Sequence, residues 1–277
     1  MKTSHNHPRP RSLVKVIVNC GPSQDYIAGC IASLKAQAFS EWEAYVTVDP
    51  YADQTFERAV EASAGDKRIL ITANEKRMYS MANLVSAIER SQARPDDIIV
   101  VLDGDDCFCA DNALQLIVDT YRRYDCWMTY GSWESNVSHV VGGLPGYADG
   151  TTDFRNVEWL ATAVRTWKKW LWDLIDDADL RDEKGEYLHV AEDLAVMFPM
   201  LEMSGTRNAR HIPETLMLYN RANPACVGNI RRAELERLAE YVRRKPRYQP
   251  LSVKPMPRSG ASSFETPPSP DQIQSQA

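Results

Sequence analysis

Three carboxylates that follow an apolar run are the residues of this sequence whose types and spacing most directly indicate chemistry. The run 98–102 is followed by Asp103, Gly104, Asp105 and Asp106. In open α/β sheets the ligand crevice lies beyond the carboxyl ends of the strands, which is where these charges would lie. Side chains two positions apart on a strand share a face, so we expect Asp103 and Asp105 to point to the same side.

Two carboxylates in that position favour a cation between them. At a separation of about 6 Å they repel by roughly 3 kcal/mol at an effective dielectric constant of about 20. Hard oxygen ligands favour Mg²⁺ or Mn²⁺, which commonly bridges one or two carboxylates to the phosphates of a nucleotide. We therefore predict that Asp105 and Asp103 hold Mn²⁺ or Mg²⁺, which would stabilise the charge on a departing diphosphate. Gly104 would permit close approach of the backbone.

The same acidic run also has a purely structural interpretation, which the sequence leaves open. Asp106 or Asp111 could cap a helix that begins near residue 110, without any chemistry. A calcium-binding EF-hand loop is excluded, because its final ligand position, counted from Asp103, is occupied by Leu114 rather than by a glutamate.

The elements that must position these residues follow from hydrophobic periodicity. Apolar, β-rich runs alternate with helical patterns through the first half of the chain, which is typical of an α/β fold with a mostly parallel sheet and helices on its faces. We predict strands at 14–19, 44–48, 68–72, 97–102, 127–130 and 212–219. We predict an irregular loop at 131–155 and helices at 26–34, 110–124, 157–175, from about 191, and at 230–243.

Length and composition fit one main domain. The chain has 277 residues, of which 44% are hydrophobic and 25% charged, as in a globular enzyme with a large core. We predict a flexible N-terminus at 1–12, a domain at 13–245 and a disordered tail at 246–277. The tail prediction rests on composition, since seven of the 16 prolines fall in that last segment.

The charge and the cysteines indicate in which cellular compartment the protein works and which partners it could bind. The six cysteines show no CxxC pair and the apolar stretch near the start is too short for a membrane span, so we expect a cytoplasmic protein with no transmembrane segment. The net charge is −6, but 229–258 holds nine Lys or Arg against three Glu. This basic segment could meet an anionic acceptor, nucleic acid or membrane, or it could be a solvated helix face.

Several motifs in order along the chain resemble those of family 2 glycosyltransferases. The resemblance covers most of residues 13–221. The matching segments are VIVN at 16–19, YI at 26–27, SLKAQAF at 33–39, VDPYADQT at 48–55, LDGDD at 102–106, TYGS at 129–132, AED at 191–193 and PMLEM at 199–203. The acidic loop at 48–55 keeps one leading aspartate and lacks the Gly-Ser step that usually follows in that family.

The resemblance implies a fold, an activity and roles for individual residues. The implied fold is GT-A, a Rossmann-like domain, and the implied activity is metal-dependent transfer of a hexose from a nucleotide-sugar to an acceptor hydroxyl. By position, the resemblance implies that Asp49 contacts the base, Asp103 the ribose and Asp105 the metal. It also implies that Asp193 is the general base, with inversion at the anomeric carbon, and Glu192 is its substitute. A carboxylate suits that role if it reaches the acceptor hydroxyl.

Further polar and aromatic residues complete the candidate site. Asn19, Asn74 and Arg77 are candidates for contacts with the nucleotide-sugar. Trp133 and Trp159 are candidates for the acceptor, because an indole face can stack against a sugar. The acceptor itself stays open between a saccharide, a lipid-linked saccharide and a hydroxymethylated pyrimidine in phage DNA.

Two other classes of protein compete with this prediction. A phosphatase of the haloacid dehalogenase type also carries a DxD motif, but after its first strand, whereas three predicted strands precede the motif here. A non-catalytic module that binds carbohydrate or nucleic acid would keep the fold without turnover. A dinucleotide-dependent dehydrogenase is excluded, because no GxGxxG follows the first strand.

Overall fold

A computed structural model describes residues 14–225 and 230–255, and its core is a single mixed sheet. Within those residues the sheet has nine strands in the order β3-β2-β1-β4-β8-β6-β9-β5, with β7 paired to β6. The strands are β1 Val14–Cys20, β2 Trp42–Val48, β3 Ile69–Ala73, β4 Ile98–Asp103, β5 Cys107–Phe108, β6 Met128–Ser135, β7 Val141–Gly142, β8 Arg165–Lys168 and β9 Ala209–Tyr219. The helices are α1 Ile27–Lys35, α2 Thr55–Ser63, α3 Tyr79–Arg90, α4 Ala113–Tyr124, α5 Lys169–Trp172, α6 Glu192–Asn208 and α7 Arg232–Arg244.

The first half of the chain forms the predicted parallel layer. β1 pairs in parallel with β2 on one side and with β4 on the other. The register sets Asn19 opposite Asp103 and Cys20 opposite Val48, so the carboxyl ends of the three strands reach the same edge of the sheet. The predicted strands at 14–19, 44–48, 68–72 and 97–102 are thereby confirmed, as are the helices at 26–34 and 110–124.

The predicted helix at 157–175 is wrong. Its middle forms β8, which lies between β4 and β6 and is antiparallel to both. Thr166 pairs there with Val100 on one side and with Thr129 on the other, and Thr166 and Trp167 are fully buried. Pairing with two neighbouring strands overrides the helical spacing of the apolar residues, and only the short helix α5 remains.

The predicted irregular loop at 131–155 is partly wrong as well. β6 continues to Ser135 and folds back onto the short strand β7. The pairing of β6 with β9 shifts register on both sides of Ser132. Such an irregularity breaks the two-residue alternation that identifies a strand in sequence, which explains why this part of β6 carries no clear period.

Two apolar clusters, one on each face of the sheet, hold the helices. Along β1 the side chains of Val16 and Val18 enter the cluster beneath α1 and α4, whereas Ile17 enters the cluster beneath α3 and α6. A strand that is buried on both faces is expected to be apolar at nearly every position. All seven residues of β1 are buried, which fits its place at the centre of the parallel layer.

The end of the described chain lies against the domain. α7 confirms the closing helix, and residues 246–255, assigned to the tail above, also make contacts, since Tyr248 donates its hydroxyl to Asp179 and Leu251 donates its N–H to Met203. The predicted N-terminus at 1–12, the rest of the tail from 256 and Cys226 lie outside the described residues. No helix within the described part combines the length and apolar character that a membrane span requires.

Surface carboxylates neutralise much of the basic segment. Arg232 pairs with Glu236, Arg244 with Glu240 and Arg237 with Glu183, all on the surface. Arg247 and Lys254 pair with Asp153 and Asp96 in the same way. These pairs favour a solvated helix face over a free cationic surface.

Candidate active site

The carboxyl ends of β1, β2 and β4 open into a cleft of about 440 Å³. That volume is in the range of small-molecule sites, about 300–1,000 Å³. β6, β9 and the first turns of α6 and α7 complete its walls. The cleft is lined by nine of the ten candidate residues, namely Asn19, Asp49, Arg77, Asp103, Asp105, Trp133, Trp159, Glu192 and Asp193, and also by Asp106 of the acidic run.

Asp103 and Asp105 both face this cleft, as the sequence predicted. Gly104 between them donates its N–H to the carbonyl of Asn19 at 2.9 Å. A Cβ at Gly104 would lie 2.5 Å from the Sγ of Cys20, so only glycine fits this close approach of β1 and the acidic turn. Asp106 is buried and accepts the N–H of Asn220 at 2.7 Å, which gives it a structural role.

The carboxylates in the cleft are electrostatically strained. Burial raises the pKa of Asp103 to about 7; Arg165 opposes the shift, and Glu192 and Asp105 add to it. Burial also raises the pKa of Asp105, against the hydrogen bond that its Oδ2 accepts from Asn223 at 2.8 Å. Burial and then the negative charge of Asp193 raise the pKa of Glu192. The ionised forms of these groups therefore lack sufficient compensation from the protein.

Arg165 is the basic residue that faces these acids. It lies in β8, with Val101 and Tyr130 as its strand partners, so the sheet fixes its backbone. Burial tends to lower its pKa, but the carboxylates of Asp193 and Asp103 outweigh burial and the pKa is raised. Its Nη1 lies 3.6 Å from Oδ2 of Asp193. One guanidinium among four carboxylates leaves the floor of the cleft with an excess of negative charge.

Glu192 and Asp193 differ in their surroundings, although they are adjacent at the start of α6. Glu192 accepts a hydrogen bond from the Ser80 hydroxyl at 3.0 Å. The side chain of Asp193 is 29% exposed and contacts Arg165. Both residues are partly exposed and line the cleft, and they differ in that the Ser80 hydroxyl holds the carboxylate of Glu192.

The residues present fit a divalent cation that a substrate helps to hold. Among the described residues, no group of three or more His, Cys, Asp or Glu side chains could bind a metal by itself. Mg²⁺ and Mn²⁺ sites in nucleotide-binding proteins use one or two carboxylates and complete the ligand shell with phosphates and water. Asp105 and Asp103 supply such oxygens, and their raised pKa values indicate charge that a cation would compensate.

Asp49 lines the cleft, but the protein itself engages both of its oxygens. Its Oδ1 accepts from Asn74 at 2.8 Å and from the N–H of Met78 at 3.0 Å. Its Oδ2 accepts the N–H of Tyr79 at 2.9 Å. Tyr79 has a left-handed backbone, φ 65°, which is unfavourable for a tyrosine. Asp49 therefore stabilises the turn that enters α3, and Asn74 supports Asp49 instead of lining the cleft.

Aromatic and basic side chains surround the mouth of the cleft beside β1 and β2. We call this part, defined by Asn19, Asp49, Tyr51 and Arg77, the nucleotide end, because the sequence predicts nucleotide contacts there. The guanidinium of Arg77 lies 4.8 Å from the ring centroid of Tyr51 and 4.4 Å from that of Tyr79. Asn19 is buried and its Oδ1 has no hydrogen-bond partner in the described structure. These groups lie beside β1 and β2, away from β6 and β9.

The candidate acceptor residues lie at the opposite end. Trp133, in β6 rather than in a loop, meets Tyr219 edge to face at 5.1 Å, and the guanidinium of Arg221 lies over both rings. Trp159 packs edge to face against Phe198 at 5.2 Å, so its indole is anchored to the core beneath α6.

Sequence reasoning missed some residues that the fold brings to the cleft. Tyr79 stacks on His189 at 3.8 Å and also lies under Arg231 from α7. Asn223 reaches Asp105 from beyond β9. No motif identifies these residues, because they lie far apart along the chain. The AED motif at 191–193 does indicate the neighbourhood of His189, which packs on Tyr79.

Comparison with known proteins gives one family match. The sequence matches the family model described as Glycosyl transferase family 2 over residues 12–177, more than half of the chain. No curated protein matches the sequence significantly.

Three solved structures resemble the fold. S. aureus TarS 1-349 in complex with UDP-GlcNAc is 17% identical with a TM-score of 0.54, over 75% of this chain and 58% of that one. Mannosyltransferase PcManGT from Pyrobaculum calidifontis, with GDP-Man and Mn²⁺, is 15% identical with a TM-score of 0.55, over 87% and 67%. Glucosyl-3-phosphoglycerate synthase from Mycobacterium tuberculosis, with Mn²⁺, UDP and glucosyl-3-phosphoglycerate, is 12% identical with a TM-score of 0.52, over 84% and 77%. The chain spans less than two thirds of the TarS structure.

Proposed function

The chain belongs to glycosyl transferase family 2 and has a GT-A fold, and from this premise we propose that it is a metal-dependent, inverting hexosyltransferase. The donor is a nucleotide-sugar and the acceptor carries a free hydroxyl. Family membership removes the phosphatase alternative. The observation that carries the proposal is the excess of carboxylate in the cleft, where Asp103 and Asp105 from the acidic turn and Glu192 and Asp193 from the start of α6 surround Arg165.

Asp105 and Asp103 are the residues that would hold a divalent cation. When bound, such an ion supplies electrostatic stabilisation of the negative charge that develops on a leaving diphosphate. The raised pKa values of both carboxyls support this role, because a nearby cation favours their ionised forms. Two of the similar structures contain Mn²⁺, which is consistent with the choice of metal.

Asp193 is the proposed general base. Its carboxylate lines the cleft, and Arg165 at 3.6 Å orients it. An inverting transfer requires a base that removes the proton of the acceptor hydroxyl on the face opposite the leaving group. Glu192 is less suited to this task, because the Ser80 hydroxyl holds its carboxylate.

The nucleotide end supports binding of the donor. Tyr51, Arg77 and Asn19 offer stacking surfaces and polar groups beside β1 and β2. Asp49 and Asn74 act through the shape of the turn at Tyr79, so they contribute to nucleotide binding as positioning residues. The cytoplasmic location predicted above stays a prediction.

A panel of nucleotide-sugars tests the proposal. The protein is incubated with UDP-, GDP-, ADP- and CDP-sugars in the presence of Mn²⁺, Mg²⁺ or EDTA, and released nucleoside diphosphate is measured. We expect release from one class of donor, dependent on the metal, and a loss of at least about a hundredfold in Asp193→Asn, the usual contribution of a general base. Nucleotide binding should persist in that variant. Asp119→Asn, on the exposed face of α4, is the matched control.

The outcomes separate the parts of this proposal. Full turnover in Asp193→Asn would show that Asp193 is not the general base. Release that is unchanged in EDTA would remove the metal dependence. Binding of nucleotide-sugar without any release or transfer would instead identify a non-catalytic module on the same fold.

A further inference from the structure

The two ends of the cleft differ in what surrounds them, and the sheet order explains why. β2 and β1 lie on one side of β4, which carries Asp103, whereas β6 and β9 lie on the other side. The nucleotide end therefore faces the strands of the parallel layer. Trp133, Tyr219 and Arg221 occupy the opposite wall, across the acidic floor; we call these three residues the acceptor platform.

A strip of chain fixed at three points carries Arg221. Asn220 donates its N–H to Asp106 at 2.7 Å, and Arg221 donates its own N–H to Oδ1 of Asn136 at 2.9 Å. Asn223 donates its side-chain amide to Asp105 at 2.8 Å. The strip is thus attached to the acidic turn itself, and Arg221 is held at a fixed height beside the proposed metal-binding carboxylates. Such preorganisation lowers the cost of binding a ligand.

Two of the other arginines at the cleft face carboxylates, since Arg165 faces Asp193 and Arg231 pairs with Glu234 at 2.6 Å. Arg77, at the nucleotide end, lies over Tyr51 and Tyr79, and Arg221 is its counterpart at the acceptor platform. In residues 14–225 and 230–255, no carboxylate forms an ion pair with Arg221; its guanidinium lies over the rings of Trp133 and Tyr219, at 5.7 and 5.2 Å from their centroids. The guanidinium is therefore a positioned cation whose donors are available for a ligand.

Trp133 gives the platform a rigid apolar surface. A Cβ at Gly142 would lie 2.2 Å from the indole, so the backbone of β7 covers the ring closely. Tyr219 meets the ring edge to face, and the remaining surface borders the cleft. A positioned indole next to a positioned guanidinium matches a sugar ring that carries an anionic group, since the ring can stack and the anion can pair.

We propose that the acceptor is an anionic saccharide, which lies on Trp133 while its phosphate or carboxylate group pairs with Arg221. This inference rests on the proposed function and names the substrate class at the acceptor end. The electrostatics support it. The acidic floor repels an anion and orients its charged group toward the platform, where Arg221 is the cation that meets it.

Matched neutral and anionic sugars test the inference by isothermal titration calorimetry. The protein is first saturated with Mn²⁺ and the nucleoside diphosphate identified with the donor panel. The probes are glucose, glucose 6-phosphate and glucuronate, with ribose and ribose 5-phosphate as a second pair. We expect an anionic member to bind roughly tenfold or more tightly than its neutral counterpart, as charge-assisted pairing implies. The phosphate and carboxylate arms distinguish which anion is preferred.

The variants decide whether Arg221 causes the preference. Arg221→Gln should remove the preference for the anionic sugar and leave nucleotide affinity unchanged, whereas Trp133→Ala should weaken every sugar that binds. Arg232→Gln, an exposed arginine of α7 in a surface pair with Glu236, is the control and should keep the preference. This inference alone is overturned if the protein binds nucleotide but shows no preference for anionic sugars, or binds no sugar at all. It is also overturned if Arg221→Gln loses nucleotide binding instead of the preference. Absence of nucleotide binding in the wild type overturns the proposed function as well.

Discussion

The helix α6 carries two acidic sites whose surroundings differ, one buried in its middle and one partly exposed at its start. In the middle of the helix, Glu202 receives both arms of the Arg155 guanidinium, Nε at 2.5 Å and Nη2 at 2.9 Å, and also the N–H of Tyr248 at 2.9 Å. The other donors of Arg155 reach the carbonyls of Val242, Lys245 and Pro246. At the start of the helix, Glu192 and Asp193 share Arg165 with Asp103.

The difference separates a structural site from a functional one. The Arg155–Glu202 pair satisfies its own charges and ties the chain after α7 to the core, so it needs no ligand. The acidic cleft leaves Asp103, Asp105 and Glu192 with raised pKa values, which is a cost to the free protein. Uncompensated charge of this kind is typical of sites that bind a cation or perform proton transfer.

Breaking the structural pair should have the largest effect on stability. Arg155→Met leaves Glu202 buried without its partner, so we expect the free energy of unfolding to fall by about 3–5 kcal/mol. Urea denaturation measures this change. Replacing both residues with methionine should recover part of the loss, because no unpaired charge then remains buried.

Two observations would contradict that account of the pair. One is a loss below about 1 kcal/mol in Arg155→Met, the range of a surface ion pair. The other is an equal loss in Arg244→Met, which breaks an exposed pair with Glu240 on α7 and serves as the matched control.

A smaller effect on stability is expected from pH, and it arises at the acidic cleft. The carboxyl of Asp103 has a folded pKa of about 7, against about 3.9 for an unfolded aspartate. Below both values the group is protonated in both states; between about pH 4 and 7 only the unfolded chain releases the proton. The contribution to stability therefore falls as pH rises through that window, by at most about 1.4 kcal/mol per pH unit.

Urea denaturation at pH 5 and pH 7 measures this dependence in the metal-free protein. In Asp103→Asn the free energy of unfolding should fall less between pH 5 and pH 7 than in the wild type, because the contribution of Asp103 is gone. The raised pKa values of Asp105 and Glu192 produce a decline in the same direction in both proteins. A wild type and variant that respond identically to pH would show that Asp103 is already compensated in the free protein.

Local patterns predicted the parallel layer and the acidic turn, because these depend on short-range features. The apolar run at 98–102 and the spacing of Asp103 and Asp105 identify both the strand and the face. Other parts depend on long-range pairing, which no local pattern reveals. β8 looks helical in sequence until β4 and β6 pair with it, and Arg165 acquires its role only from that position.

The acceptor wall was the least predictable part of the site. Trp133 was identified as a candidate from its residue type, but its strand was missed because the pairing of β6 with β9 shifts register there. Arg221 and Asn223 reach the cleft only through contacts with Asn136 and Asp105, more than eighty residues earlier in the chain. Asp49 supports the turn at Tyr79 through hydrogen bonds that no local pattern reveals, and its contact with the base stays a prediction.

The central claim is that a nucleoside diphosphate and a divalent cation bind together on Asp105 and Asp103. The most direct measurement is the thermal shift of the wild type and of Asp105→Asn with UDP or GDP, each with Mn²⁺ or with EDTA. We predict that a nucleotide stabilises the wild type markedly more with Mn²⁺ than with EDTA, and that this difference disappears in Asp105→Asn although the variant is folded. A shift of equal size with and without Mn²⁺, or one that Asp105→Asn retains in full, would contradict the account.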